Sequence, residues 1–338
     1  MNRPDKGDAR DGLQPRVIRN FCCETDILTL EQPAADELIT ASCSHRSQRG
    51  VTRMVERFES TPATEVITEF ALALTRHGAE GWEPIGTAIA VAPNLILTAR
   101  HVVDGLWQPH HLRRPDKMAD SAIIAFQVLP GAAGALWYAK NAYYSLHTDL
   151  VLLDVFPYSD SASDYNWRKV VMNFAPPDVG QTIVGFGYSG GRIEETGDQP
   201  LTLRWDAHPR TTEGEVVGVH HAGRDQGLFS FPCFEMSART EPGMSGGPLF
   251  DENGKLCGLV CGEGLDRERG TPIWFGTLLW PLLLVQGIKG KWKEQAERLF
   301  TFYELVMRRA VAAVGLDAFQ IQELEGGKLS VRLRAPPA

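Results

Sequence analysis

The chain has 338 residues, of which 43% are hydrophobic and 22% are charged, and its formal net charge is -8 at pH 7. This length and composition predict a soluble globular protein of one large domain or two smaller ones, with ample apolar material for a core. Binding to nucleic acid without regard to sequence needs a basic face that releases counterions. The acidic balance therefore argues against a nucleic-acid partner.

The first twelve residues are polar and lack the apolar core of a secretion signal. We therefore expect a cytoplasmic protein with free thiols, because that compartment keeps cysteines reduced. The cysteine spacing does not match a zinc finger, so we predict no metal site and no cofactor. Cys257 and Cys261 are expected to share one face of a strand. The six cysteines are Cys22, Cys23, Cys43, Cys233, Cys257 and Cys261.

Residues 1–64 mix short apolar runs with polar and basic stretches, which predicts an extension packed loosely on the rest of the chain. From about Glu65 onward, apolar runs alternate with Gly, Pro, Asn and Asp at intervals of roughly eight to twelve residues, a pattern typical of a β-barrel or sandwich. The pair Asn253–Gly254 favours the tight turn of a hairpin. The strand candidates include Ala122–Leu129, Gln181–Gly187, Gly214–Val219, Leu228–Ser237 and Lys255–Cys261.

The segment from Glu241 to Phe250 is rich in glycine and contains a single serine, Ser245. A serine hydroxyl attacks a carbonyl only if a base removes its proton and N–H groups receive the charge that develops on the carbonyl oxygen. Gly243 can take a backbone geometry closed to other residues and so turn its N–H toward that of Ser245. The segment therefore predicts a nucleophile loop, with a plain glycine-rich turn between strands as the alternative.

Two further segments place a histidine and an aspartate beside strands. His101 directly follows the second of two apolar runs joined by a turn at Pro93–Asn94, and Asp149 opens a continuous apolar run. A desolvated aspartate at that position needs a partner. Alone, each residue is more often structural than catalytic. Three such sites in the order His, Asp, Ser, each beside a strand, indicate nucleophilic catalysis.

The C-terminal part carries three other patterns. The apolar run Ile273–Val285 is too short to span a bilayer and contains a proline, so a buried strand leading into a helix is expected. Apolar side chains at helical spacing then predict an amphipathic helix over Lys291–Val314. Phe319–Leu333 is expected to form a hairpin that turns at Gly326–Gly327. The glycines of Gly185–Gly191 are interpreted as a loop without a phosphate-binding role.

The three segments together resemble the trypsin-like (chymotrypsin-fold) serine proteases, and most closely their bacterial HtrA-like branch. The matching motifs are Thr98–Val103, Asp149–Leu153 and Gly243–Leu249, and the resemblance covers roughly residues 65–285. It implies a mainly β protein with a chymotrypsin-like double β-barrel. The flanking regions would be an extension at 1–64 and a helix plus hairpin at 286–338, without a PDZ domain.

The resemblance also implies roles for individual residues. Ser245 would be the nucleophile, His101 the general base and then acid, and Asp149 the group that orients the imidazole. The N–H groups of Gly243 and Ser245 would form the oxyanion hole. Arg239 occupies a position that often forms the floor of the specificity pocket, which leaves open an acidic or a small apolar preference. The implied pocket residues are Arg239, Thr240, Glu241, Cys261, Gly262 and Glu263.

The function expected from this resemblance is a regulated intracellular serine endopeptidase acting on a protein or peptide. The alternatives are a catalytically inactive homologue that grips peptides and an esterase that uses the same triad. Met244 stands where the family commonly has aspartate or asparagine, so activation by an inserted N-terminal amine is not expected. A regulatory partner could act through the N- or C-terminal extension.

Overall fold

A computed structural model provides the fold of the chain. It describes most of the chain after residue 64, together with one two-residue strand before it. The predicted extension over 1–64, including its three cysteines, otherwise lies outside the described residues. The described residues are 29–30, 65–78, 81–104, 121–129, 134–145, 147–163, 165–168, 170–196, 202–266, 270–292, 296–324 and 328–334.

Six antiparallel strands close the first barrel, in the order β2-β3-β4-β7-β6-β5. A short helix, α1 (Glu65–Phe70), precedes this barrel, and a second helix, α2 (Arg100–Asp104), directly follows the strand that ends at Ala99. The predicted turn at Pro93–Asn94 is confirmed. Asn94 has a φ of 57°, a left-handed conformation that asparagine tolerates better than most residues. The strands are β2 (Ala71–Gly78), β3 (Gly81–Ala92), β4 (Leu95–Ala99), β5 (Ser121–Val128), β6 (Gly134–Tyr144) and β7 (Leu150–Pro157).

A second ring of six strands follows, in the order β12-β9-β10-β11-β14-β13, and it closes because β12 pairs with both β9 and β13. The edge of this sheet continues through β8 (Val171–Asn173) and β17 (Ala312–Val314), which pair in parallel. The predicted mainly β, chymotrypsin-like double barrel is therefore confirmed. The ring consists of β9 (Thr182–Thr196), β10 (Thr202–His220), β11 (Cys233–Met236), β12 (Pro248–Asp251), β13 (Leu256–Leu265) and β14 (Pro272–Leu278).

Four of the five strand candidates fall largely on strands, whereas only Cys233–Met236 of the candidate Leu228–Ser237 is a strand, and the loop predicted at Gly185–Gly191 is wrong. These residues lie inside β9, where Gly187 pairs with Arg210 of β10. A Cβ added at Gly187 would approach the Cα of Met244 to 2.8 Å. The glycine therefore permits close packing between a strand and the serine-containing loop, and it does not mark a chain reversal.

The helix predicted over Lys291–Val314 is wrong in extent, since among the described residues of this range only α4 (Phe302–Met307) is α-helical. Thr301 caps this helix in an extended conformation, and its side chain and that of Glu304 form a reciprocal capping box. The residues before the cap form antiparallel strands instead. These are β15 (Ile288–Trp292) and β16 (Arg298–Phe300), and β15 also pairs with β1 (Thr29–Leu30).

The segment after residue 285 packs into the body of the protein. Phe300, Phe302 and Leu305 are buried in the same cluster of side chains as Leu95 and Leu152 of the first barrel. The predicted C-terminal hairpin is confirmed by the antiparallel pairing of β18 and β19, while its turn lies outside the described residues. The remaining elements are α3 (Asp160–Ser163), β18 (Phe319–Glu323), β19 (Leu329–Leu333) and two 3-10 helices at Trp280–Leu284 and Leu316–Ala318.

Candidate active site

His101 and Asp149 lie side by side because strands β4 and β7 are neighbours in the first barrel. Ala99 at the end of β4 pairs with Leu150 at the start of β7. Just beyond this pair, the Arg100 N–H donates to the Asp149 carbonyl oxygen at 2.9 Å. The His101 N–H donates to Asp149 Oδ1 at 2.9 Å, and His101 Nδ1 lies 2.7 Å from Asp149 Oδ2. Two contacts from one residue fix the direction of the imidazole.

The surroundings of the pair favour a basic histidine. Asp149 is buried, whereas the His101 side chain is 45% exposed. Burial of the ring lowers the pKa of His101, but the hydrogen bond to Asp149 and the charge of that carboxylate outweigh this effect. The net result is a pKa raised above the ordinary value. The arrangement suits a base that accepts a proton at its exposed nitrogen.

The loop around Ser245 abuts the end of β4. Gly246 has a φ of 80°, and a Cβ added to it would lie 2.1 Å from Thr98 Oγ1 and 2.8 Å from the Ala99 nitrogen. The carbonyl oxygen of Ser245 accepts a hydrogen bond from the Thr87 N–H at 2.9 Å. Ser245 therefore sits against the residues that lead directly into His101. Only glycine fits beside it at this distance.

The N–H groups of Gly243 and Ser245 are free of protein acceptors within the described parts of the chain. Gly243 has the expected left-handed conformation, with a φ of 92°. A Cβ at this position would come within 2.5 Å of the Tyr188 carbonyl oxygen. The loop thus offers two neighbouring backbone N–H groups that could donate hydrogen bonds to an incoming oxygen.

Met244 anchors the loop from below. Its side chain is fully buried in the second barrel, among residues that include Phe234, Met236 and Leu249. Its Sδ accepts a weak hydrogen bond from the Glu241 N–H at 3.4 Å, and its own N–H donates to the Glu241 carbonyl at 3.0 Å. An ion pair with an inserted N-terminal amine would need an acidic residue at position 244. The apolar side chain of Met244 packs into the barrel there instead.

Thr87 is a structural member of the site that the sequence did not reveal. Its hydroxyl donates to the Gly243 carbonyl at 2.9 Å and accepts from the Tyr188 N–H at 2.9 Å. Its own carbonyl accepts from Thr98 Oγ1 at 2.6 Å. These bonds connect β3 of the first barrel to the loop and to β9 of the second. A threonine in an apolar strand carries no local signal of such a role.

The residues predicted to form the specificity pocket have different environments. Arg239 and Glu263 are exposed, and Thr240 and Gly262 are partly buried. Glu241 points its carboxylate at the Ser189 hydroxyl and at Arg210, whose Nε lies 3.4 Å from Glu241 Oε2. The pocket assignment of all these residues stays a prediction.

Cys261, the sixth predicted pocket residue, is buried and turned toward Asp149. Its Sγ lies 3.2 Å from Asp149 Oδ2. The expectation that it shares a strand face with Cys257 is wrong, because the β13–β14 register shifts between Val260 and Gly262. As a result the two thiols lie in different clusters of buried side chains. Cys233, Cys257 and Cys261, the cysteines within the described ranges, are free.

An aromatic pair supports the strand that carries Cys261. Phe229 and Phe275 stack with ring centroids 3.8 Å apart, and the guanidinium of Arg224 lies 4.9 Å from the Phe275 centroid. Arg224 also donates to the Leu265 carbonyl at 2.7 Å and pairs with Glu235 at 2.9 Å. The end of β13 is therefore fixed from beneath. None of these residues had a recognisable motif in the sequence.

The chain has low similarity to several solved protease structures. Among solved structures, the chain is similar to the active form of the Rv3671c protease from M. tuberculosis, at 16% identity over 69% of this chain and 89% of that chain, with a TM-score of 0.42. It is also similar to the MamO protease domain from Magnetospirillum magneticum, at 15% identity over 63% and 93% of the two chains, with a TM-score of 0.43.

No curated protein matches the chain. No helix within the described residues is long and apolar enough to cross a membrane. The profile of the family described as "Trypsin-like peptidase domain" matches residues 86–259, a range that contains His101, Asp149 and Ser245. Since this match spans more than half of the 338 residues, the chain belongs to the trypsin-like peptidase family.

Proposed function

We propose that this protein is a serine endopeptidase that hydrolyses peptide bonds through an acyl-enzyme on Ser245. The observation that supports this most directly is that two hydrogen bonds join His101 to Asp149, with Nδ1 held 2.7 Å from Oδ2. This pair lies beside a serine loop with two N–H donors that have no acceptor among the described residues. A base, its orienting carboxylate, a nucleophile and an oxyanion site are the components that acyl transfer requires.

In the proposed reaction, Ser245 Oγ attacks the substrate carbonyl while His101 Nε2 accepts the hydroxyl proton. Asp149 keeps the other proton on Nδ1 and stabilises the imidazolium that forms. The oxyanion accepts hydrogen bonds from the N–H groups of Gly243 and Ser245. The imidazolium then protonates the leaving amine. The amine departs, and the acyl-enzyme remains. Water, deprotonated by His101, releases the acid product in a second round of the same steps.

The unpaired edge of β13 supports an extended peptide as the substrate. Among the described residues, the edge of β13 away from β14 pairs with the serine loop and β12 only as far as Val260. From Cys261 to Leu265 this edge has no strand partner, whereas the other edge pairs with β14. An extended peptide can add to such an edge through main-chain hydrogen bonds. The free edge begins next to Ser245, so the added peptide would pass the nucleophile.

The preference for the substrate side chain just before the scissile bond depends on whether Arg239 lines the specificity pocket. An exposed guanidinium near the loop would favour Asp or Glu through charge-assisted hydrogen bonds. Without Arg239 in the pocket, a small apolar preference is expected. Cleavage of a peptide library by wild type and by Arg239→Ala distinguishes these cases, because only the first predicts an acidic preference that the substitution removes.

The proposal is tested by labelling with a fluorophosphonate and by hydrolysis of matched peptide and ester substrates. Ser245→Ala and His101→Ala should each lower kcat on the order of 10⁶-fold, and Asp149→Asn roughly 10⁴-fold. Loss of labelling in Ser245→Ala would assign the nucleophile. Labelling without peptide hydrolysis would favour an esterase. A folded wild type that neither labels nor hydrolyses would favour the inactive peptide-binding homologue.

Mapping of new N-termini in a cell extract, with Ser245→Ala as control, would identify the protein substrate. We further propose that activity is regulated through residues 1–64 or through the C-terminal segment. The latter is supported by the burial of Phe300 and Phe302 in the cluster that includes the first barrel. A cytoplasmic location stays a prediction, tested by fractionating cells that express the native chain.

A further inference from the structure

The thiol of Cys261 gives the presumed triad a third metal-ligating side chain, of a kind that catalysis does not need. One ligand atom each from His101, Asp149 and Cys261 lies within 4.8 Å of the other two. The three residues come from α2, from the start of β7 and from β13. Their positions in sequence are far apart, which is why the spacing of cysteines could not predict the group. We propose that these three side chains bind a borderline-soft divalent cation such as Zn²⁺.

The geometry is close to that of a tetrahedral site. With bonds of about 2.0 Å to nitrogen, 2.1 Å to oxygen and 2.3 Å to sulfur, tetrahedral angles separate nitrogen from oxygen by about 3.3 Å and sulfur from oxygen by about 3.6 Å. Here His101 Nδ1 and Asp149 Oδ2 are 2.7 Å apart, and Cys261 Sγ and Asp149 Oδ2 are 3.2 Å apart. These two separations would each have to lengthen by about half an ångström.

The three side chains differ in their access to solvent. Asp149 and Cys261 are buried, while the His101 side chain is 45% exposed. The cation would enter from the cleft, on the side of the imidazole. Its fourth ligand would be water from the same side. A site with three protein ligands and one open position is a common arrangement for zinc.

The charges of the donor set also favour a divalent cation. An ionised Asp149, a thiolate at Cys261 and a neutral His101 together carry two negative charges, so a bound divalent cation gives a neutral buried site. Metal ligands bind in their deprotonated forms, so binding of the cation would release the thiol proton of Cys261.

Occupation of the site would stop catalysis, a consequence that rests on the proposed function. Nδ1 would bind the cation, so the remaining ring proton would reside on Nε2. That nitrogen would then have no lone pair for the Ser245 hydroxyl proton. Asp149 would lose its contact with the imidazole at the same time. The cation would act as a reversible inhibitor that competes with the active arrangement of the triad.

Co²⁺ replaces Zn²⁺ as the probe for binding, because thiolate coordination gives it a near-ultraviolet charge-transfer band. We expect full-length Ser245→Ala, prepared without a histidine tag, to bind one equivalent of Co²⁺ with this band and to lose the band when Zn²⁺ is added. Adding Cys261→Ser should abolish the band. Adding His101→Ala should weaken Co²⁺ binding by roughly 10- to 100-fold or more. The His101 side chain is half exposed, so this second variant should fold.

Cys233→Ser is the matched control, since Cys233 is a buried free thiol outside the triad. The control should keep the band. A band that survives Cys261→Ser would place the cation on another cysteine and would overturn the proposal, as would the lack of any thiolate band. In a separate assay, Zn²⁺ should inhibit peptide hydrolysis, and a chelator should restore it. If wild type has no hydrolytic activity, the proposed function fails while the Co²⁺ spectra still decide the site.

Discussion

Met244 offers the sharpest test of how the serine loop is held. Its side chain is fully buried and packs against Phe234, Met236 and Leu249. Met244→Ala removes this packing, and a large-to-small change in a core costs about 2–5 kcal/mol in the free energy of unfolding. Met244→Leu nearly conserves volume and should cost less than about 1.5 kcal/mol. An isolated carboxylate from Met244→Asp would cost more than either substitution.

The effect on the loop should exceed the effect on the fold. Gly243 and Ser245 flank Met244, so a cavity beneath it frees the peptide groups that supply the two N–H donors. We expect Met244→Leu to react with a fluorophosphonate at nearly the wild-type rate. Met244→Ala should react at least about 10-fold more slowly under conditions where it remains folded, because each lost oxyanion donor costs far more than this. Urea unfolding and labelling rates, measured on the same samples, provide both quantities.

Two results would refute this reasoning. Wild-type stability and labelling in Met244→Ala would show that packing does not order the loop. The second result concerns a series of chains truncated between residues 12 and 64, each with a defined new N-terminus. Activation of the wild-type chain by a single truncation, abolished by acetylation of the new α-amine, would show that an inserted ammonium orders the loop after all.

Three other predictions follow from the geometry. Gly246→Ala places a methyl group 2.1 Å from Thr98 Oγ1 at a φ of 80°. The substitution should lower the free energy of unfolding by several kcal/mol, of which the backbone conformation alone accounts for about 1–3 kcal/mol. It should also abolish labelling by the fluorophosphonate. The pKa of His101 is raised above the ordinary histidine value, so kcat/KM should fall as the pH drops through this raised pKa. Asp149→Asn should move this acid limb of the pH profile to lower pH. An acid limb that does not move would be assigned to another group. Phe302→Ala, at a fully buried position, should cost about 3–5 kcal/mol in urea unfolding, and a loss below 1 kcal/mol would contradict the shared core.

The barrels could be predicted from sequence because their strands end at local signals. Asn94 and Gly254 both have left-handed conformations, with φ values of 57° and 69°, at the turns that the residue types predicted. Such turns depend on two adjacent residues and little else. The closure of each ring depends on pairings between distant strands, and it came only from the resemblance to a known family.

The C-terminal helix shows how a periodic pattern can mislead. Apolar residues from Trp292 to Ala310 recur at helical spacing, yet Leu299 is 62% exposed and the neighbouring Phe300 is buried, as expected for a strand. Pairing of β16 with β15 overrides the intrinsic preference of these residues. A local signal did exist, since Thr301 and Glu304 have the spacing of a capping box and mark where the helix begins.

The environment of Cys261 could not be deduced from sequence for a physical reason. Four residues separate it from Cys257, and an undisturbed strand places such residues on one face. A register shift between Val260 and Gly262 interrupts that alternation. Bulges re-aim the side chain at which they occur, and they are frequent next to active sites. The thiol that strand periodicity would keep beside Cys257 is thereby directed at the carboxylate of Asp149, 112 residues away in the chain. The register shift in β13 is therefore what makes the proposed metal site geometrically available.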